Sequence, residues 1–294
     1  TSLPDNSIRS LYVDPDSGLL LVGTKTGGLA AYDRAADAFR PYPAVPLFPD
    51  NDADMEIRAI VRDSRGRLWA GGPAGLARVD PASGAVLPAS LPKPDPKSDA
   101  GRVIAVRALS DGDVLAATSR TVYRVAGDSG AATPLLPGAL GELPAEVRIN
   151  GIDCDGSGTL WVLTETNGAY RIDLANGGTD HFLPGLATWF AFRDSRGALF
   201  IGTDHGLAQM RQAPGRPGGL APVMAVNNPT DPESLSQNEV LCALEDAGGL
   251  LWFGTYSGGV SRYNPAFQAF VPYRGGPGQP DGLSGSAVSA VAVE

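Results

Sequence analysis

The apolar residues of this chain gather into short, nearly continuous runs, and one such run recurs. It reads Leu20-Leu21-Val22-Gly23-Thr24, Leu68-Trp69-Ala70-Gly71-Gly72, Leu160-Trp161-Val162-Leu163-Thr164, Leu199-Phe200-Ile201-Gly202-Thr203 and Leu251-Trp252-Phe253-Gly254-Thr255, with a degraded copy at Val114-Leu115-Ala116-Ala117-Thr118. Its fourth residue falls at Gly23, Gly71, Ala117, Leu163, Gly202 and Gly254, 39 to 52 residues apart. Unbroken apolar runs of this length predict strands buried on both faces. Repeated at this period, with only strand-like pieces between them, they predict the blades of a β-propeller rather than a helical solenoid.

The second copy shows the inside of one repeat. Ile57 to Arg62 reads as a strand, Asp63-Ser64-Arg65-Gly66 as a tight turn, Leu68 to Gly71 as a second strand and Leu76 to Val79 as a third. A more variable fourth strand follows, as in Ala38 to Tyr42 of the first copy and Ala269 to Tyr273 of the sixth. The turn recurs as Asp155-Gly156-Ser157-Gly158, Asp194-Ser195-Arg196-Gly197 and Asp246-Ala247-Gly248-Gly249. There Asp can accept local backbone N–H bonds and Gly can take positive φ. The expected fold is therefore all-β, a propeller of four-stranded antiparallel blades. In the second strands, Leu21, Trp69, Trp161, Phe200 and Trp252 are expected to fill the space between neighbouring blades, and the small residue two places on to admit close backbone approach.

Repeats fall at about 3–45, 55–90, 101–137, 147–184, 186–224 and 235–274, with an incomplete one at 283–294. The six complete copies and the first strand of a seventh, begun at Ala287, predict a single propeller domain over 1–294 or a fragment of a seven-bladed one. Only seven residues precede the first strand, so a strand borrowed from that terminus to finish a blade is not expected, and the segment reads as a piece of a longer array. The Pro-rich stretches Pro81 to Gly101 and Arg211 to Ser236 read as extended connections between blades, the second long enough to form a surface lobe.

At 294 residues and 43% apolar content the chain can bury a large core, so its 38 glycines and 25 prolines serve turns rather than disorder. A net charge of −9 speaks against nucleic acid as a partner and gives no basic face for anionic lipid. No apolar run is long enough to span a bilayer, and no basic-then-apolar leader stands at Thr1. Cys154 and Cys242 occupy non-equivalent places in the first strands of separate repeats, which predicts buried thiols and no disulfide.

The pattern Leu-Ser/Pro-x-Asn-x-Val/Ile, Asp-x-x-Gly, Leu-Trp-x-Gly-Thr, Gly-Gly-Val/Leu-x-Arg-Tyr-Asn/Asp and Phe-x-x-Tyr resembles the two-component regulator propeller repeat. Glu245 to Tyr273 is its clearest copy, and the third repeat its weakest. The resemblance implies the periplasmic or extracytoplasmic sensor segment of a hybrid histidine kinase or diguanylate cyclase, non-catalytic in itself, in a membrane-anchored and dimeric parent. It implies a small-molecule or oligosaccharide input and no contact of this segment with the membrane. No phosphoacceptor helix, nucleotide-binding box or Gly-Gly-Asp-Glu-Phe motif is present in the sequence.

Other chemistry is weakly encoded. Asp50, Asp52, Asp54 and Glu56 open like a calcium loop, but Met55 stands where the template needs Gly and Val61 where it needs Glu. Neither His181 nor His205 has a second ligand at zinc spacing, and no nucleophile elbow is present. No metal, cofactor or catalytic constellation is expected. An enzyme remains the alternative, since the repeats also resemble those of the virginiamycin B lyase family, and His205 on a loop at the funnel could serve as a general base. A protein-interaction platform is a further one.

Loops joining second to third strands should emerge on one face and the Asp-x-x-Gly turns on the other. On the first face the residues that break the repeat are Lys25, Arg120, Glu165, Asn167, Asp204, His205 and Tyr256. Polar or aromatic and different in each repeat, they form the expected ligand-binding set.

Overall fold

The computed structural model describes residues 3–14, 17–42, 47, 55–80, 83–93, 101–136, 143–144, 147–154, 158–215, 218–273, 283 and 285–291. Among them lie 24 strands and no helix. The first blade is β1 (Ile8–Val13), β2 (Leu20–Thr24), β3 (Leu29–Asp33) and β4 (Ala38–Pro41), and the second β5 (Ala59–Arg62), β6 (Leu68–Gly72), β7 (Gly75–Val79) and β8 (Val86–Pro88). The third is β9 (Ala105–Ala108), β10 (Val114–Ala117), β11 (Val122–Val125) and β12 (Ala132–Leu136), and the fourth β13 (Ile149–Cys154), β14 (Thr159–Thr164), β15 (Ala169–Asp173) and β16 (Thr179–Phe182). The fifth is β17 (Thr188–Arg193), β18 (Leu199–Thr203), β19 (Gly206–Gln212) and β20 (Leu220–Ala225), and the sixth β21 (Val240–Glu245), β22 (Leu251–Thr255), β23 (Val260–Asn264) and β24 (Ala269–Tyr273). Each sheet takes its strands in chain order. These are β-propeller blades, and the recurring apolar phrase forms the second strand in all six.

The chain forms two compact units. One comprises residues 1–160 with 172–178 and 294, the other residues 161–171 with 179–293. Within the first unit, Leu21, Ile57, Leu68 and Val79 make a buried layer between blades one and two, and Trp69, Leu76, Val103 and Val114 another between blades two and three. Within the second, Trp161, Leu163, Leu199 and Ile201 join blades four and five, and Phe200, Leu207, Val240 and Phe253 join blades five and six. Leu21, Trp69, Trp161 and Phe200 thus fill the spaces expected of them.

Trp252 does not. It is half-buried, with its ring 5.5 Å from that of Tyr273 and the Arg262 guanidinium 5.8 Å from its centroid. The reason is that no further sheet follows among the described residues, so its own blade's outer strand provides the packing.

The small residue of the phrase answers a backbone constraint. A Cβ at Gly23 would lie 2.5 Å from the carbonyl oxygen of Ile57, and one at Gly202 the same distance from that of Val240. The next blade's first strand starts directly over these glycines. Blade four instead has the buried Leu163, and there the Thr188 hydroxyl accepts from the Thr164 N–H at 2.9 Å in place of a close carbonyl.

Two expectations are corrected. The seventh repeat forms no strand at 285–291, where no neighbouring strand pairs with it among the described residues. The segment docks nonetheless: Val288 N–H donates to Thr255 O at 2.9 Å, as Ile57 does to Thr24 at 3.0 Å. Neither Pro-rich stretch is merely a connection, since Pro81 to Gly101 supplies β8, the fourth strand of blade two, and Arg211 to Ser236 supplies β20, the fourth strand of blade five. Pro222 is tolerated there because it lies on an outer edge strand. Both cysteines are free thiols.

Candidate functional site

At one end of each blade the second strand finishes, a short loop turns to the third, and the first strand of the next blade begins. In every blade but the second, whose phrase ends at Gly72, a Thr closes the apolar phrase and holds this loop. Thr24 Oγ1 donates to Gly28 O at 2.9 Å and accepts from Gly27 N–H at 3.0 Å. Thr164 and Thr255 repeat both bonds, and Thr203 does so across a loop one residue shorter, where it accepts from His205 N–H. All four threonines are fully buried, so the hydroxyl substitutes for solvent at a backbone reversal that would otherwise leave polar groups unpaired. The frame is uniform while the loop tips differ. Sequence reading saw these threonines only as strand ends.

Lys25 and Arg120 belong to the first unit, and both are exposed on second-to-third-strand loops. Lys25 N–H ties its loop to Ser7 O at 2.9 Å. Beside it, Asp5 accepts from Ser7 N–H, the Thr26 hydroxyl and Thr26 N–H, and these bonds hold its carboxyl below the ordinary range. The sequence reading missed the arginines near the starts of the first strands and took Glu56 only as the end of a calcium-like run. Glu56, almost fully buried, takes Arg9 Nε at 2.8 Å and Arg58 Nη2 at 3.1 Å on its two oxygens. Burial opposes its ionisation, but the Arg58 hydrogen bond and charge, joined by those of Arg9, outweigh it and hold its pKa below the ordinary value. Glu56 is therefore an ion-pair partner of two guanidinium groups. Asp50, Asp52 and Asp54, the rest of the calcium-like run, lie outside the described residues. Arg102 and Arg148 directly precede Val103 and Ile149 near the starts of β9 and β13, and Arg148 reaches Ser119 Oγ, in the loop of Arg120, at 3.5 Å. The signal available in sequence was the basic residue beside an aliphatic near the start of each first strand, in Ile8-Arg9, Ile57-Arg58, Arg102-Val103 and Arg148-Ile149.

Glu165, Asn167, Asp204, His205 and Tyr256 belong to the second unit. Asp204 and His205 are in contact: His205 Nδ1 lies 3.0 Å from Asp204 Oδ1, which also accepts from Ala187 N–H at 3.1 Å. The imidazole is 69% exposed. Asn167 is half-buried and braced, since Nδ2 donates to Tyr170 Oη at 2.6 Å and its carbonyl accepts from His181 Nε2 at 2.6 Å. The His181 ring stacks on that of Tyr170 at 4.4 Å. Tyr256 is 57% exposed, its N–H donating to Glu239 O at 3.0 Å, and Glu165 is exposed on its loop.

At the opposite end of blade one, a cavity of about 580 Å³ is lined by Tyr32, Asp33, Arg34, Arg40 and Tyr42. Arg40 pairs with Asp33 at 2.8 Å and Tyr32 Oη donates to Asp37 at 2.7 Å, so much of its polar lining is already satisfied. No motif marks it, because its walls come from three short segments of one blade.

The family described as the two component regulator propeller matches at residues 51–74 and 234–257. Those two segments fall in the second and sixth of the repeats read as resembling that family. No curated protein matches the chain. Among solved structures, the extracellular domain of the putative hybrid two component system BT4673 from B. thetaiotaomicron superposes with a TM-score of 0.68 at 18% identity, covering 87% of this chain and 32% of that one. The chain thus spans about a third of that relative. A catalytically inactive virginiamycin B lyase from Staphylococcus aureus with quinupristin gives 0.67 at 16% identity, covering 92% of this chain and 85% of that one. A β-propeller domain from Myceliophteria thermophila gives 0.64 at 11%, covering 92% and 86%. Identities this low speak to the fold alone, and one fold hosts all three.

Proposed function

We propose that this chain, a two-component regulator propeller domain, is the ligand-sensing segment of an extracytoplasmic signal-transduction receptor and performs no chemistry itself. The observation that supports the reading is a contrast within the blades: threonines frame the loops alike in blades one, four, five and six, while the tips carry Lys25 and Arg120 in the first unit and Glu165, Asn167, Asp204, His205 and Tyr256 in the second. A rigid frame with divergent tips suits recognition of an asymmetric small molecule or oligosaccharide. Similarity to the extracellular BT4673 domain supports a location outside the cytoplasm. The test is calorimetric titration of the full chain with a panel of oligosaccharides and small metabolites. Binding weakened by Glu165→Ala with Tyr256→Ala, at unchanged melting temperature, is expected; a bound ligand indifferent to all tip substitutions would move the site off this face.

A lyase is the second reading, favoured by the carboxylate held against His205 Nδ1, an arrangement that orients an imidazole for general-base work. The exposure of that ring weighs against it, because nothing excludes water from the base. Turnover of quinupristin by the chain, lost in His205→Ala, would establish this reading over the first.

A further inference from the structure

Three asparagines of the chain precede a glycine, at Asn150-Gly151, Asn167-Gly168 and Asn176-Gly177. In such a pair the glycine has no side chain to keep its backbone nitrogen from the asparagine carboxamide. The fold puts the three in different circumstances. Asn150 lies in β13 beside the buried Gly151, and an extended strand holds the next nitrogen away from the side-chain carbon. Asn167 is half-buried, its Nδ2 donates to Tyr170 Oη at 2.6 Å, and Gly168 N–H donates to Leu186 O at 2.8 Å. The peptide there is hemmed in, since a Cβ on Gly168 would lie 2.1 Å from Phe182 O and 2.4 Å from Leu183 O.

Asn176 differs on each count. It is exposed in the turn from β15 to β16, and the φ of Gly177 is +74°. Its Oδ1 accepts from Gly178 N–H at 2.7 Å and its Nδ2 donates to Asp173 Oδ2 at 2.8 Å. The first bond folds the carboxamide back over the Gly177–Gly178 peptide, which carries Cγ toward Gly177 N. The same N–H stands where negative charge gathers on Oδ1 when a nucleophile adds to Cγ. The second bond turns the amide nitrogen, the leaving group, to the other side. One contact opposes the reaction: Gly177 N–H donates to Asp173 O at 2.8 Å and must first let go. Opening one bond at the exposed tip of a hairpin costs less than opening a strand or a packed loop.

We infer that Asn176 is a site of self-modification. Gly177 N attacks Asn176 Cγ and the bond from Cγ to Nδ2 breaks. The proton displaced from Gly177 N passes through solvent to the departing nitrogen, which leaves as ammonia. Water then adds across one or the other C–N bond of the succinimide and opens it to aspartate or isoaspartate. Either product adds a negative charge to a chain already at −9, and sets it beside the Asp173 carboxylate in place of the amide that donated there. Isoaspartate also lengthens the backbone within the turn, which is tied to the residue before β14 by Leu174 N–H donating to Gly158 O at 2.8 Å. The molecule thus carries a timed change of charge and turn geometry at one fixed place.

The test is to hold the full chain in mildly alkaline buffer, native and in urea, and to follow each Asn-Gly peptide by mass spectrometry, with an isoaspartyl-specific methyltransferase labelling the isomerised product. In the native chain Asn176 should convert about tenfold faster than Asn150 or Asn167, with isoaspartate accumulating at position 176. In urea the three should convert at similar rates, since the ranking comes from the fold. Asn176→Gln should remove the fast-forming acidic species seen on ion exchange without speeding the other two. Conversion at Asn150 or Asn167 that matches or outpaces Asn176 in the native chain would overturn the inference. A ranking that persists in urea would overturn it too, by tracing the difference to sequence neighbours and not to the turn.

Discussion

The indole N–H of Trp69 donates to Oδ2 of Asp63 at 2.8 Å, and Trp252 makes the same bond to Asp246 at 2.7 Å. The turn that reverses the chain and the aromatic that packs the blade are therefore one unit, six residues apart. Asp63 Oδ1 takes the N–H groups of Arg65 and Arg67, while Oδ2 also takes Arg67 Nε at 2.7 Å. Substituting Asp63→Ala strands a fully buried indole N–H and a half-buried guanidinium, and should cost about 3 kcal/mol in urea denaturation. Asp63→Asn, which keeps one acceptor, should cost less.

The same carboxylates set the acid limit of the fold. Burial opposes the ionisation of Asp63, but the Trp69 indole and the Arg67 and Arg65 bonds overcome it and hold its pKa below 3.8; Asp113, with Gly127 N–H and Arg124, behaves alike. A depressed folded pKa contributes stability that is complete above the unfolded value and lost as pH falls through the folded one. The urea midpoint should therefore be flat from neutrality to about pH 5 and drop steadily below about pH 4. In Asp63→Asn the drop should be shallower, and an equally steep decline would show that other carboxylates dominate.

Much of this was legible in the chain, and the parts that were not have common causes. The strands and turns could be read because each repeat restates its own pattern, so that Leu-Trp-x-Gly-Thr at 251–255 corroborates the copy at 68–72. Burial of Trp69 followed from the repeat, but exposure of Trp252 did not, since a repeated residue is read as if its neighbour were repeated too. The loop tips were found as departures from the pattern, whereas Arg9, Arg58, Arg102 and Arg148 were passed over because they sit at the edge of strands that looked purely apolar, and Glu56 was read only with the acidic run before it. Their pairing joins residues such as Arg9 and Glu56, which come together only when two blades are stacked.

Cys242 reports on the segment that follows the sixth blade. Its thiol lies 3.6 Å from Val288 O, and burial raises its pKa to about 12. In the native chain it should resist alkylation by iodoacetamide at pH 8, as followed by intact mass. Removing residues 281–294 should uncover it and make it react. Equal protection in the shortened chain would mean that Val288 contributes nothing to its shielding.

Asn167 and Tyr256, both repeat-breaking residues on the same kind of loop, should respond differently to truncation. Asn167 links the loop to Tyr170 Oη at 2.6 Å, and its carbonyl holds His181 Nε2, which must carry a proton to donate. Its side chain is an internal brace with a partner that is itself buried, so Asn167→Ala should lower stability by about 1 kcal/mol. Tyr256 is 57% exposed, and Tyr256→Ala should change stability by less than about 0.5 kcal/mol while removing a large aromatic surface available to a ligand. The two together should add, because they share no contact. Stability losses in the reverse order would mean that the aromatic at 256 packs against the chain and that Asn167 is the residue offered outward.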